Sequence, residues 1–492
     1  MEGGLQKMYF ATKTDGFSAI FLKLIKFNIQ FCLIICFFCN FAFTKILKKN
    51  MLTASWVYPH TDDIFRTSKT DNGPSERGDL LALRRQAHRH ILLCTENLIK
   101  ITLKDIQMKN LIKASLFAMM SFVTACTTST STSVLDKCPQ QEAFDSVVNE
   151  IPVKLFHLTN AKGMDVLITN FGGRVVSVCV PDRNGVQQDV VLGFDNLKQY
   201  TDSVNSPSDF GAAIGRYANR IKDGKITVDG TAIQLPTNNF GHTLHGGPDG
   251  WQYKVYSAEQ TSENTLKLTL VSEDGDMNFP GKVTAKVVYT VTDDNALDIS
   301  YEATTDKTTI INMTNHSYFN LSGDANNTIL EDSLLLNSSN FTPVDSTFMT
   351  TGEIRSVEAT LFDFRKMKAI GQDITDDNLK NDEQMRFGNG YDHNWVLDTK
   401  GDINTCAAVL KCPKSGIMLQ MYTTEPGVQV YTGNFLDSTA HGKYGVVYAQ
   451  RTGICLETQK YPDSPNKPEW PSPLLKPGEK YTSRCIYKFS TF

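Results

Sequence analysis

The sequence predicts an all-β fold, a large antiparallel β-sandwich or a closed barrel, for the region that begins near residue 150. From Ile151 onward, apolar and β-branched residues partly alternate with polar ones, at the period of two that a strand requires. Turn dipeptides separate these runs, and no helical stretch is both long and capped. The strand candidates are Lys282–Val291, Ala296–Ala303, Ile417–Tyr422 and Val428–Tyr431, with turns at Asn184-Gly185, Asp223-Gly224, Asp229-Gly230, Asp274-Gly275 and Ser322-Gly323. Short turns of helix are expected around Asp195–Tyr200 and Asp373–Asn378.

The composition excludes several classes of protein. The chain has 492 residues, of which 41% are hydrophobic and 21% charged, as in an ordinary globular protein. Residues 1–125 hold 17 Lys and Arg against 9 Asp and Glu, whereas the remaining residues hold 32 against 44. An acidic body without a basic stripe disfavours nucleic-acid binding. Eleven scattered cysteines, an odd number, do not describe a disulfide framework.

Two apolar stretches precede the body and carry targeting signatures. The first, Phe27–Phe43, is flanked by lysines and is near the lower length limit for spanning a bilayer. The second follows Met108, with two lysines, an apolar run from Ala114 to Val123, and then Thr-Ala-Cys126. This is the pattern of a short bacterial signal peptide, and Val-Thr-Ala-Cys resembles a lipobox, in which the cysteine is lipidated.

These signals divide the chain into four parts. Residues 1–107 are interpreted as an over-extended start or as a membrane anchor with a disordered linker, and the sequence leaves both open. Residues 108–126 are expected to be a lipoprotein-type signal peptide, the alternative being a core helix, and 127–149 a flexible Thr/Ser-rich tether. Residues 150–492 are expected to form one domain. The expected location is the bacterial cell envelope, lipid-anchored through Cys126 and facing the periplasm. If the signal-peptide interpretation fails, it is the cytoplasm.

Short polar clusters interrupt the strand pattern, and they contain the candidate site residues. The side chains in question are histidines, carboxylates, an arginine and amides: His242, His245, His316, His393, Asn219, Arg220, Asp392, Gln429 and Glu457. Glu457 follows an apolar run, so we expect it to be partly buried, where desolvation raises the pKa of a carboxyl towards that of a working base.

Several chemistries compete for these clusters. His242 and His245 with His393 or Asp392 would give three zinc ligands, but without a helix the spacing is a weak signal. Phe171-Gly-Gly-Arg174 is too short for a phosphate-binding fingerprint, and no Gly-x-Ser-x-Gly elbow supplies a serine nucleophile. Each residue also has a purely structural interpretation, such as a buried histidine or a surface ion pair. The combination of His, Glu, Asp, Arg, Gln and aromatic residues instead suits a polyhydroxylated ligand.

Six motifs, in order along residues 150–492, resemble those of the aldose 1-epimerase (galactose mutarotase) family. They are GRYANR at 215–220, TLHGG at 243–247, TNHSYFNL at 314–321, YDHN at 391–394, PGVQVYTGN at 426–434 and LETQ at 456–459. The resemblance implies a supersandwich of antiparallel strands with the sugar site on a concave face. No part of the chain before Cys126 resembles the family.

The resemblance also implies a role for each matching residue. Glu457 would be the general base that takes the proton of the anomeric hydroxyl, and His316 the general acid that protonates the ring oxygen. His245 would polarise the ring oxygen, while the remaining hydroxyls would be held by Asn219, Arg220, Asp392 and Gln429. The substrate would be a free aldohexose and the protein a monomer. No cofactor or metal is required for the chemistry, although some relatives carry a cation and Ca²⁺ stays open.

Three other functions remain as alternatives. A hexose-6-phosphate 1-epimerase would need extra basic residues near the sugar's C6 end, where the clusters offer chiefly Arg216 and Arg220. A non-catalytic carbohydrate-binding lipoprotein would tolerate loss of the acid or the base. A β-sandwich glycosidase would need two carboxylates flanking the scissile bond. Asp392 and Glu457 could serve as this pair only if the distance between them were suitable.

Overall fold

The protein is described by a computed structural model that covers residues 137–202 and 209–492. The predicted signal peptide with Cys126, the segment 1–107 and the first part of the predicted tether lie outside the described residues. The described residues belong to one compact unit. None of its helices is long and apolar enough to cross a membrane.

Antiparallel strands form most of the regular structure. The first half of the described chain contains β1 (Ser146–Val148), β2 (Ile151–Val153), β3 (Leu155–Thr159), β4 (Asp165–Thr169), β5 (Arg174–Pro181), β6 (Gln187–Asp189), β7 (Ala213–Ile214), β8 (Arg220–Ile221), β9 (Lys225–Val228), β10 (Thr231–Gln234), β11 (Thr243–Leu244), β12 (Ser257–Ser262), β13 (Thr265–Ser272), β14 (Val283–Val291) and β15 (Ala296–Thr305). The second half contains β16 (Thr309–Ile310), β17 (Thr314–Asn315), β18 (Tyr318–Phe319), β19 (Ser333–Leu336), β20 (Asn340–Thr342), β21 (Arg355–Ser356), β22 (Lys368–Ala369), β23 (Asp392–Val396), β24 (Ala408–Lys411), β25 (Ile417–Thr423), β26 (Gly427–Tyr431), β27 (Ile454–Gln459), β28 (Leu474–Leu475) and β29 (Tyr481–Thr491).

The described helices are short. They are α1 (Leu197–Thr201), α2 (Asp376–Asn381) and α3 (Glu383–Gly388), together with single 3-10 turns. The first two lie where the sequence predicts turns of helix, and each has a side-chain N-cap, Asn196 for α1 and Thr375 for α2. The third, α3, is capped by Asp382 and was not predicted.

Three sheets make up the sandwich. The largest has nine strands in the order β12-β13-β14-β15-β29-β25-β24-β19-β22, the second has six in the order β18-β27-β26-β23-β20-β21, and the third is β3-β4-β5-β6. The large sheets are open, so the predicted sandwich forms rather than the closed barrel. The predicted strands are confirmed as β14, β15, β25 and β26. The turn predicted at Asp274-Gly275 lies in the connection between β13 and β14.

The main apolar core lies between the nine-stranded and six-stranded sheets. Val428 and Val430 of β26 and Leu456 of β27 are fully buried in the same cluster as Met421 of β25. The hydroxyl of Tyr487 on β29 donates to the Leu456 carbonyl at 2.6 Å and so joins the two sheets. Since successive strand residues face opposite ways, the residues between these core positions point to the other face of the six-stranded sheet.

The described part of the predicted tether, residues 137–149, packs on the sandwich. It contains a 3-10 turn at Gln141–Ala143 and the strand β1, which pairs with β2. Cys138 and Phe144 are buried in a second apolar cluster that also includes Cys179 of β5.

Candidate active site

Three adjacent strands of the six-stranded sheet carry a row of polar side chains on one face. Gln429 of β26 lies directly opposite Glu457 of β27 and opposite Asn394 of β23. Asp392 lies two residues before Asn394 and therefore on the same face. Its Oδ1 accepts a 2.7 Å hydrogen bond from Gln429 Nε2. The register alone thus places two carboxylates beside one amide.

A two-stranded ribbon, β8 with β11, supplies the second group of side chains. It carries Arg220 and is flanked by Asn219 and His245, whose backbones are left-handed with φ of 62° and 51°. The Asn219 N–H donates to His245 Nδ1 at 3.2 Å, so a neutral His245 carries its proton on Nε2. Gly246 follows with φ 82°, and a Cβ there would collide with the Gly215 carbonyl. The tight turn therefore needs glycine directly after the histidine.

His316 lies between β17 and β18, where it meets both groups. Its ring stacks on Tyr318 at 5.0 Å and meets the edge of the His245 ring at 5.2 Å, measured between ring centroids. Its Nδ1 is 3.5 Å from Cys455 Sγ, and its Nε2 is 3.6 Å from Glu457 Oε1. An imidazole and a carboxylate, both nearly inaccessible to solvent, therefore lie close enough together for one bound molecule to contact both.

All seven predicted catalytic and substrate-binding residues line one cavity of about 260 Å³. Its walls are formed by Asp209, Asn219, Arg220, Leu244, His245, Tyr253, His316, Tyr318, Asp392, Gln429, Tyr431, Phe435 and Glu457. The cavity combines carboxylates, imidazoles and a guanidinium with several aromatic rings. Such a lining suits a small polyhydroxylated molecule, whose hydroxyls meet polar groups while its C–H faces meet the rings.

Sequence reasoning missed several members of this wall. Tyr431 is two residues after Gln429 on β26, so the period of two would have placed it on the same face. Tyr318 directly precedes Phe319 in the TNHSYFNL motif and pairs with Cys455, two residues before Glu457 on β27. Asp209 and Tyr253 belong to no polar cluster, and nothing in the sequence pattern singles them out.

Burial shifts the pKa values of Glu457 and His316 in opposite directions. The pKa of Glu457 is raised well above its ordinary value, first by burial and then by the charges of Asp392 and Asp209, with Arg220 opposing. The pKa of His316 is lowered, chiefly by burial. Each shift favours the neutral form of the group concerned.

The pKa values of His245 and Asp392, two other ionisable groups of the cavity, are also shifted. The pKa of His245 is lowered well below its ordinary value by burial and by the nearby charges of His316 and Arg220. Burial raises the pKa of Asp392, while Arg220 and the hydrogen bond from Gln429 lower it. His245 is thus a neutral donor, and Arg220 is the cation that faces the carboxylates.

Three acceptor atoms in the cavity wall have no protein partner among the described residues. They are Asp209 Oδ1, Gln429 Oε1 and Glu457 Oε2, and all three are buried. A buried acceptor without a donor costs roughly 1–3 kcal/mol. Hydroxyl groups of a bound ligand would satisfy all three, which marks the cavity as a place for O–H donors.

The structure does not bring together the three zinc ligands that were considered from the sequence. His393 points to the core side of β23, where it meets the rings of Phe341, Phe362 and Trp395, and burial lowers its pKa to about 3. His242 forms a hydrogen bond with the Thr347 hydroxyl through Nε2 and does not line the cavity. The period of two therefore separates His393 from Asp392, its neighbour in the chain.

Two other groups of three possible ligands occur within the described residues. They are His245 with His316 and Glu457, and Cys138 with Cys179 and Asp189. Calcium takes six to eight oxygen ligands, whereas each of these groups offers a single carboxylate beside nitrogen or sulfur. Neither group fits Ca²⁺.

Arg216 is also absent from the cavity. Its guanidinium donates to the Gly281 carbonyl at 3.0 Å and to Ser272 Oγ at 2.6 Å, under β13 and the following loop. Arg220 is therefore the one Lys or Arg among the wall residues, which also include three carboxylates, those of Asp209, Asp392 and Glu457. This balance of charge does not favour a phosphorylated ligand.

Comparisons with known proteins agree with the geometry. The family model described as aldose 1-epimerase matches residues 154–488. Galactose mutarotase of Mus musculus is 40% identical over 70% of this chain and 98% of its own length. Aldose 1-epimerase of Escherichia coli K12 is 37% identical over 69% of this chain and 95% of its own length. Among solved structures, the C. elegans GalM/aldose epimerase homologue superimposes with a TM-score of 0.62 at 31% identity, over 69% of this chain and 99% of that one.

Proposed function

The chain belongs to the aldose 1-epimerase family and interconverts the anomers of aldoses, and we propose that its substrates are free hexoses such as galactose and glucose. We assign the general base to Glu457 and the general acid to His316. The observation that carries this assignment is the 3.6 Å approach of His316 Nε2 to Glu457 Oε1 inside a cavity lined for a sugar.

The reaction needs two proton transfers at one sugar ring. The Glu457 carboxylate takes the proton of the anomeric hydroxyl while His316 gives a proton to the ring oxygen, and the bond from C1 to that oxygen breaks. The C1–C2 bond of the open aldehyde rotates. The two transfers then run in reverse as the ring closes on the other face of the aldehyde. Every proton returns to its origin, so neither a redox carrier nor a covalent intermediate enters the chemistry.

The two groups exchange protonation states during this cycle. With the ring closed, Glu457 is ionised and His316 protonated, whereas with the chain open both are neutral. Burial favours the neutral pair, because it raises the pKa of Glu457 and lowers that of His316. Dehydration of the cavity therefore lowers the energy of the open-chain stage relative to the closed-ring stage.

The remaining residues would hold the sugar while its ring opens. His245 presents an Nε2–H donor to the ring oxygen, and Arg220 presents a fork of N–H donors. Asp392 and Gln429 supply acceptors for hydroxyl groups, and Gln429 Oε1 is among the unpartnered acceptors of the wall. Asn219 sets the direction of His245 through its backbone N–H.

Polarimetry of freshly dissolved α-galactose and α-glucose tests the proposal. The wild-type chain should bring the rotation to its spontaneous end-point faster than buffer alone, and Glu457→Gln should lower kcat by roughly 10²–10⁴-fold because an amide cannot take a proton. A wild-type rate for Glu457→Gln would overturn the base assignment. Sugar binding by calorimetry without acceleration would instead identify a non-catalytic carbohydrate-binding protein.

We also propose that the mature chain is lipid-anchored at Cys126 in a bacterial envelope and faces the periplasm. The support is the basic, apolar and Thr-Ala-Cys sequence of residues 108–126. Cells fed a labelled fatty acid should transfer the label to the wild-type protein and not to Cys126→Ser. Equal labelling of both, or of neither, would refute the anchor.

A further inference from the structure

Two cysteine side chains outside the catalytic cavity lie in contact. Cys138, near the start of the described chain, and Cys179 of β5 are 41 positions apart, and their Sγ atoms are separated by 3.4 Å. Both are buried free thiols, and the proposed mechanism uses neither.

Three polar side chains lie beside this pair, at the edge of the second apolar cluster. The Tyr444 hydroxyl is within hydrogen-bond distance of Cys138 Sγ, at 3.4 Å, and it donates to Asp189 Oδ2 at 2.6 Å. Lys443 Nζ is 2.5 Å from the same carboxylate oxygen. Tyr444, which contacts Cys138, is 46% exposed, whereas Cys138 is 2% exposed and Cys179 is fully buried. The thiol pair therefore lies one side chain below an exposed residue.

The two thiols differ in character. The hydrogen bond between them lowers the pKa of Cys138, while the same bond and burial raise the pKa of Cys179. The thiolate is the nucleophile in thiol–disulfide exchange. Cys138 is consequently the attacking sulfur and Cys179 the second, resolving one.

A metal centre is a poorer match for the same atoms. Asp189 Oδ1 already accepts from the Val178 N–H at 3.1 Å, and Oδ2 is shared by Lys443 and Tyr444. A buried ammonium next to the carboxylate would repel a cation and compete for its oxygen. Cys138 and Cys179 then remain as two ligands, fewer than the three or four protein ligands of ordinary zinc sites.

We propose that Cys138 and Cys179 form a redox-active pair that closes to a disulfide and fastens the segment before β1 to β5. The oxidant is a small or protein disulfide, such as glutathione disulfide. The Cys138 thiolate attacks one of its sulfurs, the oxidant's S–S bond breaks, and the departing sulfur takes a proton. Cys179 then loses its proton and attacks Cys138 Sγ, which releases the second sulfur as a thiol. Two protein thiols are oxidised and one disulfide is reduced to two thiols.

The proposal has a consequence for stability. A bond between these residues closes a loop of 41 positions, which reduces the entropy of the unfolded chain. For a folded unit of this size we expect the oxidised protein to unfold at a temperature higher by about 5 °C than the reduced protein.

Mass spectrometry tests the pair directly. The purified full-length chain is incubated with glutathione disulfide, its remaining thiols are blocked with N-ethylmaleimide under denaturing conditions, and it is digested without reduction. A cross-linked peptide containing Cys138 and Cys179, lighter than the sum of its parts by two hydrogen atoms, is the expected result. Recovery of both peptides in the blocked form would overturn the proposal. So would one zinc ion per chain that protects both thiols until a chelator is added.

Variants distinguish this pair from other buried cysteines. Cys179→Ser should abolish the cross-link and leave glutathione attached to Cys138, while Cys485→Ser should leave the cross-link intact. If Cys179→Ser fails to fold, the wild-type cross-link and its reversal by a thiol reductant still decide the matter. None of these readouts uses sugar turnover, so their failure is separate from failure of the proposed function.

Discussion

The two histidines of the cavity should respond differently to the same substitution. His245 and His316 have ring centroids 5.2 Å apart, and both lie in the wall of the cavity. We assign a proton transfer to His316 alone, because the Asn219 N–H occupies His245 Nδ1 and fixes its proton on Nε2, as a donor. Substitution of each histidine by glutamine distinguishes a proton-transfer group from a hydrogen-bond donor. The glutamine amide N–H replaces an imidazole Nε2–H donor, but the amide neither gives up nor takes a proton at neutral pH.

The magnitudes follow from what each change removes. His316→Gln should lower kcat by roughly 10²–10⁴-fold, since a positioned proton transfer is lost. His245→Gln should keep kcat/KM within about 10-fold of wild type, because the hydrogen bond is retained. His245→Leu leaves the Asn219 N–H and a sugar oxygen without partners. At about 1–3 kcal/mol for an unpaired buried group, kcat/KM should fall roughly 5- to 150-fold.

The assay is polarimetric mutarotation of α-galactose, corrected for the spontaneous rate, with a thermal melt of each variant as the check on folding. The pH profile is a second readout, because a His245 that stays neutral contributes no limb to it. His245→Gln should therefore keep the wild-type profile. A loss of kcat by His245→Gln as large as that of His316→Gln, or a shifted limb, would refute this division of roles.

Two more predictions concern pH and stability. In the active enzyme Glu457 and His316 together hold one proton, which either group can carry. The lowered pKa of His316 means that the pair takes up a second proton only in more acidic solution. The raised pKa of Glu457 means that the pair keeps its one proton into more alkaline solution. The acid limb of kcat/KM should accordingly have its midpoint below pH 6.5, and a midpoint above that value would contradict the assignment. Lys443→Met should destabilise the fold by about 3–5 kcal/mol in urea denaturation, because it removes the cationic partner of the buried Asp189 carboxylate. Lys488→Met, at an exposed ion pair, is the matched control and should cost less than about 1 kcal/mol, so equal losses would show that burial of the pair is unimportant.

Strand positions were predictable wherever one face of a strand is buried and the other is not. Val283–Val291 alternates between buried and half-buried positions along its whole length, which is the pattern that the sequence displays. The pairing of β29 between β15 and β25 was not predictable, since it joins segments nearly 200 positions apart and depends on packing between sheets. The helix Glu383–Gly388 was missed because six residues give too little periodicity.

The same reasoning explains which site residues sequence patterns could supply. The motif residues are recognisable because each lies in a short polar run, yet the runs themselves do not say which neighbour faces the ligand. In YDHN, either Asp392 or His393 could be chosen from the sequence. The pairing of β23 with β26 decides for Asp392, because Gln429 lies two positions along the same face and donates to it. Asp209 has no such run, so only the folded chain reveals it.

The arrangement of the site also explains why its acid and base come from different parts of the fold. Glu457 and Gln429 lie on neighbouring strands, so their separation is fixed by the strand spacing and changes little when a ligand enters. His316 and His245 come from connecting segments, and each segment is anchored to a neighbouring one by a hydrogen bond, from the His316 N–H to the Ala212 carbonyl and from the Asn219 N–H to His245 Nδ1. A sugar ring that opens and rotates needs a fixed base on one side and donors on the other. A rigid sheet facing anchored loops provides both, and it does so with groups whose burial favours the neutral protonation state of the open-chain stage.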